Sequence, residues 1–298
     1  MDNRIQHLLR WYKVHRRHLP WRDTRDGYRI FISELMLQQT QVDRVIPKFH
    51  AFLEHFPSWS ALAQATTPEL IHAWAGLGYN RRALYARASA IIVIANGAPN
   101  TLNGWRALKG VGPYMAAALS EFVDHQRAIV IDTNVRRVAG RIWLGLPFPK
   151  PVDDPLIIKQ LEKVVPKKEE HWNVPQAFMD LGSSICSVTS PQCAICPMQK
   201  ECKVAKRFLN GTVTKKHRVI SRPTERIHAE KKYPDRIYRG RILALLRKEK
   251  TINEKAIGPR IDETFDAIAD RDWVHEMVER LVKDGLVQRK KNSLGLGK

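Results

Sequence analysis

The sequence lacks any long apolar run. No stretch approaches the ~20 consecutive apolar residues that a helix needs to cross a bilayer, and the first 21 residues have no long apolar core of the kind found in a signal peptide. Strand-type alternation is scarce, and we find no internal repeat. We therefore expect no membrane association and a cytoplasmic location, at the nucleoid if the source is bacterial or archaeal.

Acidic residues are few relative to basic ones. The chain has 30 Asp and Glu against 50 Lys and Arg, which gives a formal net charge of +20. Residues 203–250 alone carry an excess of 12 positive charges, whereas residues 251–298 are balanced. Such a surplus suits a polyanion better than a small neutral substrate. A membrane surface is the weaker alternative, because the basic segment is not plainly amphipathic.

Cysteine is absent except from one stretch of 17 residues, where the spacing is C-x6-C-x2-C-x5-C. Four thiolates this close can bind a [4Fe-4S] cluster or a structural zinc, or form two disulfides in an oxidising compartment. A zinc ribbon would usually show two separated C-x2-C pairs. The spacing therefore favours a [4Fe-4S] cluster over zinc and disulfides. The expected ligands are Cys186, Cys193, Cys196 and Cys202.

Apolar residues recur at helical spacing along most of the chain before the cysteines, as at Ile5, Leu8 and Tyr12. Short breaks that contain Gly or Pro separate these segments. The pattern predicts a mainly α protein with many helices of ordinary length joined by tight turns.

A glycine-flanked turn lies between two of these helical patterns, and an acid follows it. Gly110, Val111 and Gly112 allow a tight turn with positive φ, after which the next helix presents free N–H groups to a phosphate. Twenty residues past Gly112, the apolar run 129–131 places Asp132 at the start of another helix. An acid in that position often serves only as a helix cap.

The turn, the acid and the four cysteines, in this order and spacing, resemble the helix-hairpin-helix DNA glycosylases of the endonuclease III superfamily over residues 20–202. The segment 32–42 resembles that of the MutY-type adenine glycosylases. The resemblance implies a bilobal, mainly α fold with a [4Fe-4S] cluster loop. It also implies a monomeric, monofunctional enzyme of base excision repair that hydrolyses the N-glycosidic bond of adenine mispaired with 8-oxoguanine or guanine in double-stranded DNA.

The resemblance also implies roles for individual residues. Glu34 would protonate the purine, because adenine is a poor leaving group as an anion, and Asp132 would stabilise the oxocarbenium-like sugar. Tyr114 stands where lyase members carry a lysine. The implied catalytic residues are Glu34, Asp132, Tyr114 and Asn134. The implied DNA contacts are Gln39, Thr40, Leu77, Tyr79, Gly110, Val111 and Gly112.

The C-terminal region departs from this resemblance. The MutY family usually ends in a Nudix-like domain that reads 8-oxoguanine, whereas residues 233–298 predict a helix, a second helix and a short hairpin, which is typical of a winged helix. We expect a helical lobe at 22–132, a cluster lobe at 1–21 and 133–203, a basic linker at 204–232 and a winged-helix-like domain after it.

Two other functions stay open on the sequence. A glycosylase acting on thymine or uracil opposite guanine would share the hairpin, Asp132, Tyr114 and the cluster. Glu34 argues against it, since a pyrimidine departs as a stabilised anion. More distant is a non-enzymatic iron–sulfur DNA-binding regulator built around the winged helix, which would need neither acid.

Overall fold

A computed structural model of the chain describes residues 2–168, 170–213, 226–229, 231–291 and 293–298. Much of the basic linker expected at 204–232 lies outside the described residues. Within the described residues, no helix is both long and apolar enough to cross a membrane. The described chain is mainly helical, so the predicted fold class is confirmed.

The elements are numbered in chain order. The helices are α1 Asn3–His15, α2 Gly27–Leu37, α3 Val42–His55, α4 Trp59–Gln64, α5 Thr67–Ala73, α6 Arg81–Asn96, α7 Leu102–Arg106, α8 Pro113–Phe122, α9 Thr133–Ala139, α10 Asp154–Val164, α11 Asn173–Ser184, α12 Ala205–Leu209, α13 Asp235–Glu249, α14 Gly258–Ile261 and α15 Arg271–Lys283. The strands are β1 Thr251–Asn253, β2 Val287–Lys290 and β3 Ser293–Leu296.

Local sequence signals explain where several helices begin. Thr66 and Glu69 form a capping box that starts α5, with a proline in its first turn. Gly112 precedes Pro113 at the start of α8, and Asp132 caps α9 through its side chain. These caps satisfy N–H groups that have no partner inside the helix.

The first compact unit consists of residues Met1–Ile30, Pro99–Ala107 and Val111–Ile220. Its core joins α1, α9, α10 and α11, and Met198 of the cysteine-bearing loop is fully buried in it. The N-terminal helix, the helix that Asp132 caps and the cysteine loop thus share one apolar core.

The second compact unit consists of residues Phe31–Ala98, Leu108–Gly110 and Ser221–Lys298. Its core contains apolar side chains of α13, α15 and all three strands, together with Ile71 of α5. The antiparallel sheet has the order β1-β3-β2. The C-terminal region therefore packs on helices from the first hundred residues.

The sequence predicts two helices and a hairpin in the C-terminal region, and the structure contains them as α13, α15 and the β2–β3 pair. It missed β1 and α14, which at three and four residues are too short to show a period. The winged-helix assignment stays a prediction.

The expected domain boundaries also stay predictions, and the two units divide the chain elsewhere. Residues 111–132 fall in the same unit as the cysteine loop, although the sequence assigns them to the helical lobe. The glycine turn itself crosses the division, with Gly110 in the second unit and Val111 in the first.

Candidate active site and cysteine cavity

Asp132 is held at the N-terminus of α9 by neutral donors. Its Oδ1 accepts a hydrogen bond from the Val135 backbone N–H at 2.6 Å, and its Oδ2 accepts one from Asn134 Nδ2 at 2.8 Å. Both carboxylate oxygens are therefore oriented, while the side chain is only partly buried.

Asn134 is itself fixed by an arginine that reaches the cysteine loop. Arg137 Nη2 donates to Asn134 Oδ1 and to the Gly182 carbonyl, each at 2.7 Å, and Arg137 Nε donates to the Cys186 carbonyl at 2.7 Å. Burial lowers the pKa of the Arg137 guanidinium. A continuous chain of hydrogen bonds thus runs from the Cys186 backbone to the carboxylate of Asp132.

Gly182 allows this chain to form. A Cβ at this position of α11 would lie 2.7 Å from Asn134 Cβ and 2.9 Å from Asn134 Oδ1, both closer than real Cβ contacts permit. The backbones of α9 and α11 can therefore approach only because residue 182 has no side chain.

The four cysteines line one cavity beneath α9 and α11. All four are free thiols and partly buried, and the lining is otherwise mostly apolar. Burial, followed by repulsion from the neighbouring thiols, raises the pKa of Cys193. Burial also raises the pKa of Cys196 and Cys202. Among the described residues, no three His, Cys, Asp or Glu side chains are placed to hold a single metal ion.

Arg141 donates a hydrogen bond to Cys186, the first cysteine of this loop. It is 1% exposed, and its Nη1 donates to Cys186 Sγ at 3.2 Å and to the Ser187 carbonyl at 2.7 Å. Its Nη2 donates to the Val188 carbonyl at 2.7 Å. The guanidinium therefore places a buried positive charge beside a thiol that would be negative when bound to metal.

Glu34 lies on α2 in the second unit and is 6% exposed. The residues that follow it, Leu35 and Met36, are fully buried. A carboxyl group in such surroundings usually has a partner or a task, because burying a charge is costly. Glu34 is therefore not a solvent-exposed acid on the helix surface.

Two tight loops of the second unit carry expected DNA contacts. Gln39 and Tyr79 both have positive φ, 58° and 46°, which is uncommon for residues other than glycine and concentrates at functional sites. Gln39 is exposed. Thr40 donates through Oγ1 to the Leu77 carbonyl at 3.4 Å, which ties the two loops together.

Arg82 donates hydrogen bonds to backbone carbonyls of both loops. Its Nη1 donates to the backbone carbonyls of Leu35 and Gln38 at 2.7 and 2.6 Å, and its Nη2 donates to that of Gly78 at 3.0 Å. Burial lowers its pKa to about 10. The sequence gives no sign of this role, because Arg82 looks like an ordinary arginine at the start of α6.

Leu77 and Tyr79 differ in exposure, although the sequence groups them as DNA contacts. Leu77 is 4% exposed and Tyr79 is 43% exposed. Tyr79 is thus the residue of this motif that the described structure presents at the surface, and Leu77 would have to leave its packing before it could enter DNA.

The glycine turn is divided between the units, with Gly110 in the second and Val111 and Gly112 in the first. Gly110 has φ 78°, and a Cβ there would lie 2.8 Å from Tyr85 Cδ2, so only glycine fits. Gly112 caps α8 without a side chain, and no atom lies within 4 Å of a Cβ built on it. Val111 is buried, and Tyr114 packs with Ala117, Ala118 and Val130.

Known proteins resemble this chain in sequence and fold. Residues 32–167 match the HhH-GPD superfamily of base excision DNA repair proteins. The adenine DNA glycosylase of Mycolicibacterium smegmatis is 33% identical over 291 residues, which cover 95% of this chain and 92% of that protein. The chain belongs to the adenine DNA glycosylase family. The Arabidopsis thaliana adenine DNA glycosylase is 32% identical over 66% of this chain but only 36% of its own length.

The fold extends beyond this family. A solved thermostable thymine-DNA glycosylase has 25% identity and a TM-score of 0.62, and the match covers 68% of this chain and 95% of that one. The alignment with the Mycolicibacterium member of the adenine DNA glycosylase family covers all but 5% of this chain, so it extends into the C-terminal region.

Within this adenine DNA glycosylase family member, the structure divides the expected site residues between the units. Asp132, Asn134, Tyr114 and the four cysteines lie in the first unit, and Glu34, Gln39, Thr40, Leu77, Tyr79 and Gly110 lie in the second. Sequence reasoning missed Arg82, Arg137, Arg141 and Gly182, which position those residues.

Proposed function

We propose that this protein is a monofunctional DNA glycosylase of base excision repair, which hydrolyses the N-glycosidic bond of adenine mispaired with 8-oxoguanine or guanine. The observation that carries the proposal is the pair of acids. In a chain of the adenine DNA glycosylase family, Glu34 is buried at 6% exposure, and Asp132 is oriented by neutral donors. These surroundings suit opposite duties.

Glu34 is the proton donor in this proposal. Adenine leaves readily only after a ring nitrogen is protonated, and a carboxylic acid can supply that proton. After the bond breaks, the resulting Glu34 carboxylate accepts a proton from the water that attacks the sugar. The acid therefore ends the reaction in its starting protonation state.

Asp132 is the stabilising carboxylate. Its two hydrogen bonds keep both oxygens in place. A fixed negative charge stabilises the oxocarbenium-like sugar as the glycosidic bond breaks. Asn134 acts as the positioning residue, and Arg137 holds Asn134.

Tyr114 supports a reaction without strand cleavage. A lyase needs an amine to form a Schiff base with the sugar, and Tyr114 occupies the position of that lysine. We propose that the product is an abasic site in an intact strand.

The cysteine cavity fits a [4Fe-4S] cluster. Four free thiols line it, and the buried Arg141 would offset part of the negative charge that four thiolates and a cluster would bring. Cys186, Cys193, Cys196 and Cys202 would hold the cluster. When bound, the cluster would supply structural support for the loop, since hydrolysis needs no redox step. Iron and acid-labile sulfide analysis of purified protein tests this assignment.

Double-stranded DNA containing a mispair is the proposed substrate. Gln39 and Thr40 would lie near the mispaired guanine, Tyr79 and Leu77 near the site of base flipping, and the turn 110–112 near a phosphate. A monomeric state and a cytoplasmic location are further parts of the proposal.

A mismatch glycosylase that releases thymine or uracil is the second candidate, because a solved thymine-DNA glycosylase shares the fold at 25% identity. Glu34 separates the candidates. A pyrimidine anion needs no such acid, whereas adenine does.

The test is single-turnover base release on duplexes that contain A opposite 8-oxoguanine, A opposite G, T opposite G or U opposite G. Alkali treatment reveals abasic sites, and the untreated sample reports strand cleavage. We expect release of adenine alone and intact strands before alkali. Release of thymine or uracil would replace the proposal with the mismatch reaction, and cleavage without alkali would contradict the role given to Tyr114.

A further inference from the structure

A buried acid of α8 stands next to the chain segment that leads to Asp132. Glu121 belongs to the last turn of α8, and its side chain is fully buried. Residues 128–131, called segment 128–131 below, form neither helix nor strand, and Asp132 follows them directly. The backbone of this segment therefore determines where Asp132 and the first turn of α9 lie.

The Glu121 carboxyl group contacts two different parts of the chain. Its Oε2 accepts a hydrogen bond from the Ala128 backbone N–H at 2.8 Å, and its Oε1 lies 2.9 Å from His171 Nδ1. His171 is 5% exposed, and its carbonyl accepts a hydrogen bond from the Val174 N–H in the first turn of α11. One side chain of α8 thus joins segment 128–131 to the start of α11.

These hydrogen bonds are needed because the group is buried. Burial raises the pKa of the Glu121 carboxyl, whereas the hydrogen bonds from His171 and Ala128 and the charges of His171 and Arg127 act to lower it. Arg127 is itself held by backbone carbonyls at and just after the end of α10. A buried carboxyl group or backbone N–H without a partner destabilises the fold. The contact between Glu121 and Ala128 is therefore costly to break.

Packing leaves room beside the same segment. A small cavity is lined by Glu121, Ala128 and Val130, together with apolar side chains of α10 and α11. Val135, whose N–H donates to Asp132 Oδ1, lines the same cavity. A segment that borders a cavity can shift more easily than one that is packed on all sides. The hydrogen bond to Glu121 is therefore the contact that fixes the start of the segment.

A second acid in the same turn has a different partner. Asp124 lies three residues after Glu121, and its Oδ2 accepts a hydrogen bond from Trp105 Nε1 at 2.6 Å. That bond ties the turn to α7 rather than to segment 128–131. The two acids therefore allow a matched comparison within one turn.

We propose that Glu121 is a positioning residue for Asp132, which acts through the backbone of segment 128–131, and that His171 holds Glu121 in place. The inference rests on the proposed function, in which Asp132 stabilises the cationic sugar. Asn134 orients Asp132 from the residues that follow it, and Glu121 supports it from the residues that precede it. A shift of about 1 Å in a catalytic group is enough to slow a reaction strongly.

The first test replaces the carboxyl group with an apolar group of similar size. Glu121→Leu removes the acceptor for the Ala128 N–H, whereas Glu121→Gln keeps an oxygen that can accept it. Asp124→Leu is the control, because it makes the same change at the acid that contacts Trp105. Single-turnover adenine release from a duplex with A opposite 8-oxoguanine gives the rate. The dissociation constant is measured on a duplex with 2′-fluoro-deoxyadenosine at the same position, which resists cleavage.

We expect Glu121→Leu to slow adenine release per folded molecule by about tenfold or more, with the dissociation constant changed by less than about twofold. Glu121→Gln and Asp124→Leu should both stay within about threefold of the wild-type rate. A less stable Glu121→Leu protein with a normal rate in its folded fraction would make Glu121 merely structural and overturn the proposal. Equal losses in Glu121→Leu and Glu121→Gln would overturn the role of the hydrogen bond to Ala128.

The second test asks whether His171 acts through Glu121. His171→Leu alone should slow release by about threefold, because Glu121 keeps its contact with Ala128. Adding His171→Leu to Glu121→Leu should slow release no further, and additive losses would overturn the role given to His171. The double variant replaces both buried polar partners, which proteins tolerate better than the loss of one. It therefore takes the place of Glu121→Leu if that single variant unfolds.

Hydrogen–deuterium exchange of iron-replete protein without DNA separates this inference from the proposed function. Peptides that cover residues 126–135 should exchange faster in Glu121→Leu than in wild type, and at the wild-type rate in Asp124→Leu. Unchanged exchange in Glu121→Leu would overturn the positioning role even if adenine release were lost. If the wild type releases no adenine from any duplex, the proposed function fails, while the exchange result still reports whether Glu121 holds the segment.

Discussion

Asp132 and Asp180 lie in the same compact unit and near the same pair of helices, but their surroundings differ. Asp180 is 1% exposed and accepts hydrogen bonds from the guanidinium groups of Arg17 and Arg22 and from the Arg17 backbone N–H. Asp132 is only partly buried and accepts from Val135 N–H and Asn134. Within the described residues, Asp132 has no ion pair.

The difference separates a structural carboxylate from one available to a substrate. Although burial acts to raise it, the pKa of Asp180 is lowered by the hydrogen bonds and charges of Arg22 and Arg17. A carboxylate already neutralised by two cations has little field to offer a third. In the proposed reaction, Asp132, held by neutral donors, is the carboxylate that faces the cationic sugar.

The largest effect should follow from removing that charge. Asp132→Asn retains an oxygen that can cap α9, so the fold and DNA affinity should be preserved. Single-turnover adenine release should fall by about 10³-fold or more, because a fixed charge at the reacting centre is lost. Parallel loss of binding and base release would show that Asp132 is merely a helix cap.

Glu34→Gln should have the next largest effect. An amide has the shape of the acid but cannot deliver a proton, so adenine release should slow by about 10²–10³-fold. Affinity for uncleaved duplex should change less than twofold. A fully active Glu34→Gln enzyme would make Glu34 structural and would favour the pyrimidine reaction, whose leaving group needs no acid.

Asp180→Asn should produce the opposite outcome to Asp132→Asn. Removing one partner of a buried ion pair leaves the arginines uncompensated, so the free energy of unfolding should fall by about 3 kcal/mol. Adenine release per folded molecule should stay within about twofold of wild type. Normal stability together with a lost reaction would reverse the roles assigned to the two aspartates.

The Asp180→Asn variant should also change how the stability of the protein depends on pH. Because the pKa of Asp180 is lowered in the folded state, its contribution to stability is present above the unfolded pKa, about 4, and is lost as the pH falls through the lower folded value. Wild type should therefore lose stability in acid more steeply than Asp180→Asn. Denaturant unfolding from pH 7 to pH 3 measures how the free energy of unfolding changes with pH in each protein. Equal changes in the two proteins would contradict the ion pairs of Asp180 with Arg17 and Arg22.

The sequence offers candidates for the reacting groups, but it does not show the residues that position them. Asp132 and the cysteines stand out because their spacing is local and their chemistry is restrictive. Arg82, by contrast, acquires its role only when the fold brings the carbonyls of Leu35 and Gln38 to its guanidinium. Hydrogen bonds to distant backbone atoms leave no period or motif in a sequence.

The C-terminal region shows the same limit. The helix α13 could be predicted because Ile237, Ile242, Leu243 and Leu246 have helical spacing, and the last three are buried in the core. The packing of these helices could not be predicted from the sequence, since it depends on which helix face contacts Ile71 and Leu84. Packing partners are set by complementary shape across the chain, which composition does not reveal.

Gly182→Ala should give the smallest effect and tests how Asp132 is positioned. The added methyl group would meet Asn134 Cβ at 2.7 Å, so α9 and α11 must separate or Asn134 must turn. Overpacking of this kind costs about 1–3 kcal/mol in stability. Adenine release should fall by about tenfold, since small displacements of a catalytic group are costly.

Gly240→Ala is the matched control, because the same methyl group meets no atom within 4 Å there; it should unfold no more easily than wild type. The positioning role predicts that Gly182→Ala lowers the rate constant of adenine release (kcat) while the affinity for the duplex, measured as KM, stays constant. A purely packing role predicts lost stability with normal kcat in the folded fraction, and that result would break the link between α11 and Asp132. The split between rate and affinity therefore decides whether the hydrogen bonds from Arg137 through Asn134 serve the carboxylate or only the core.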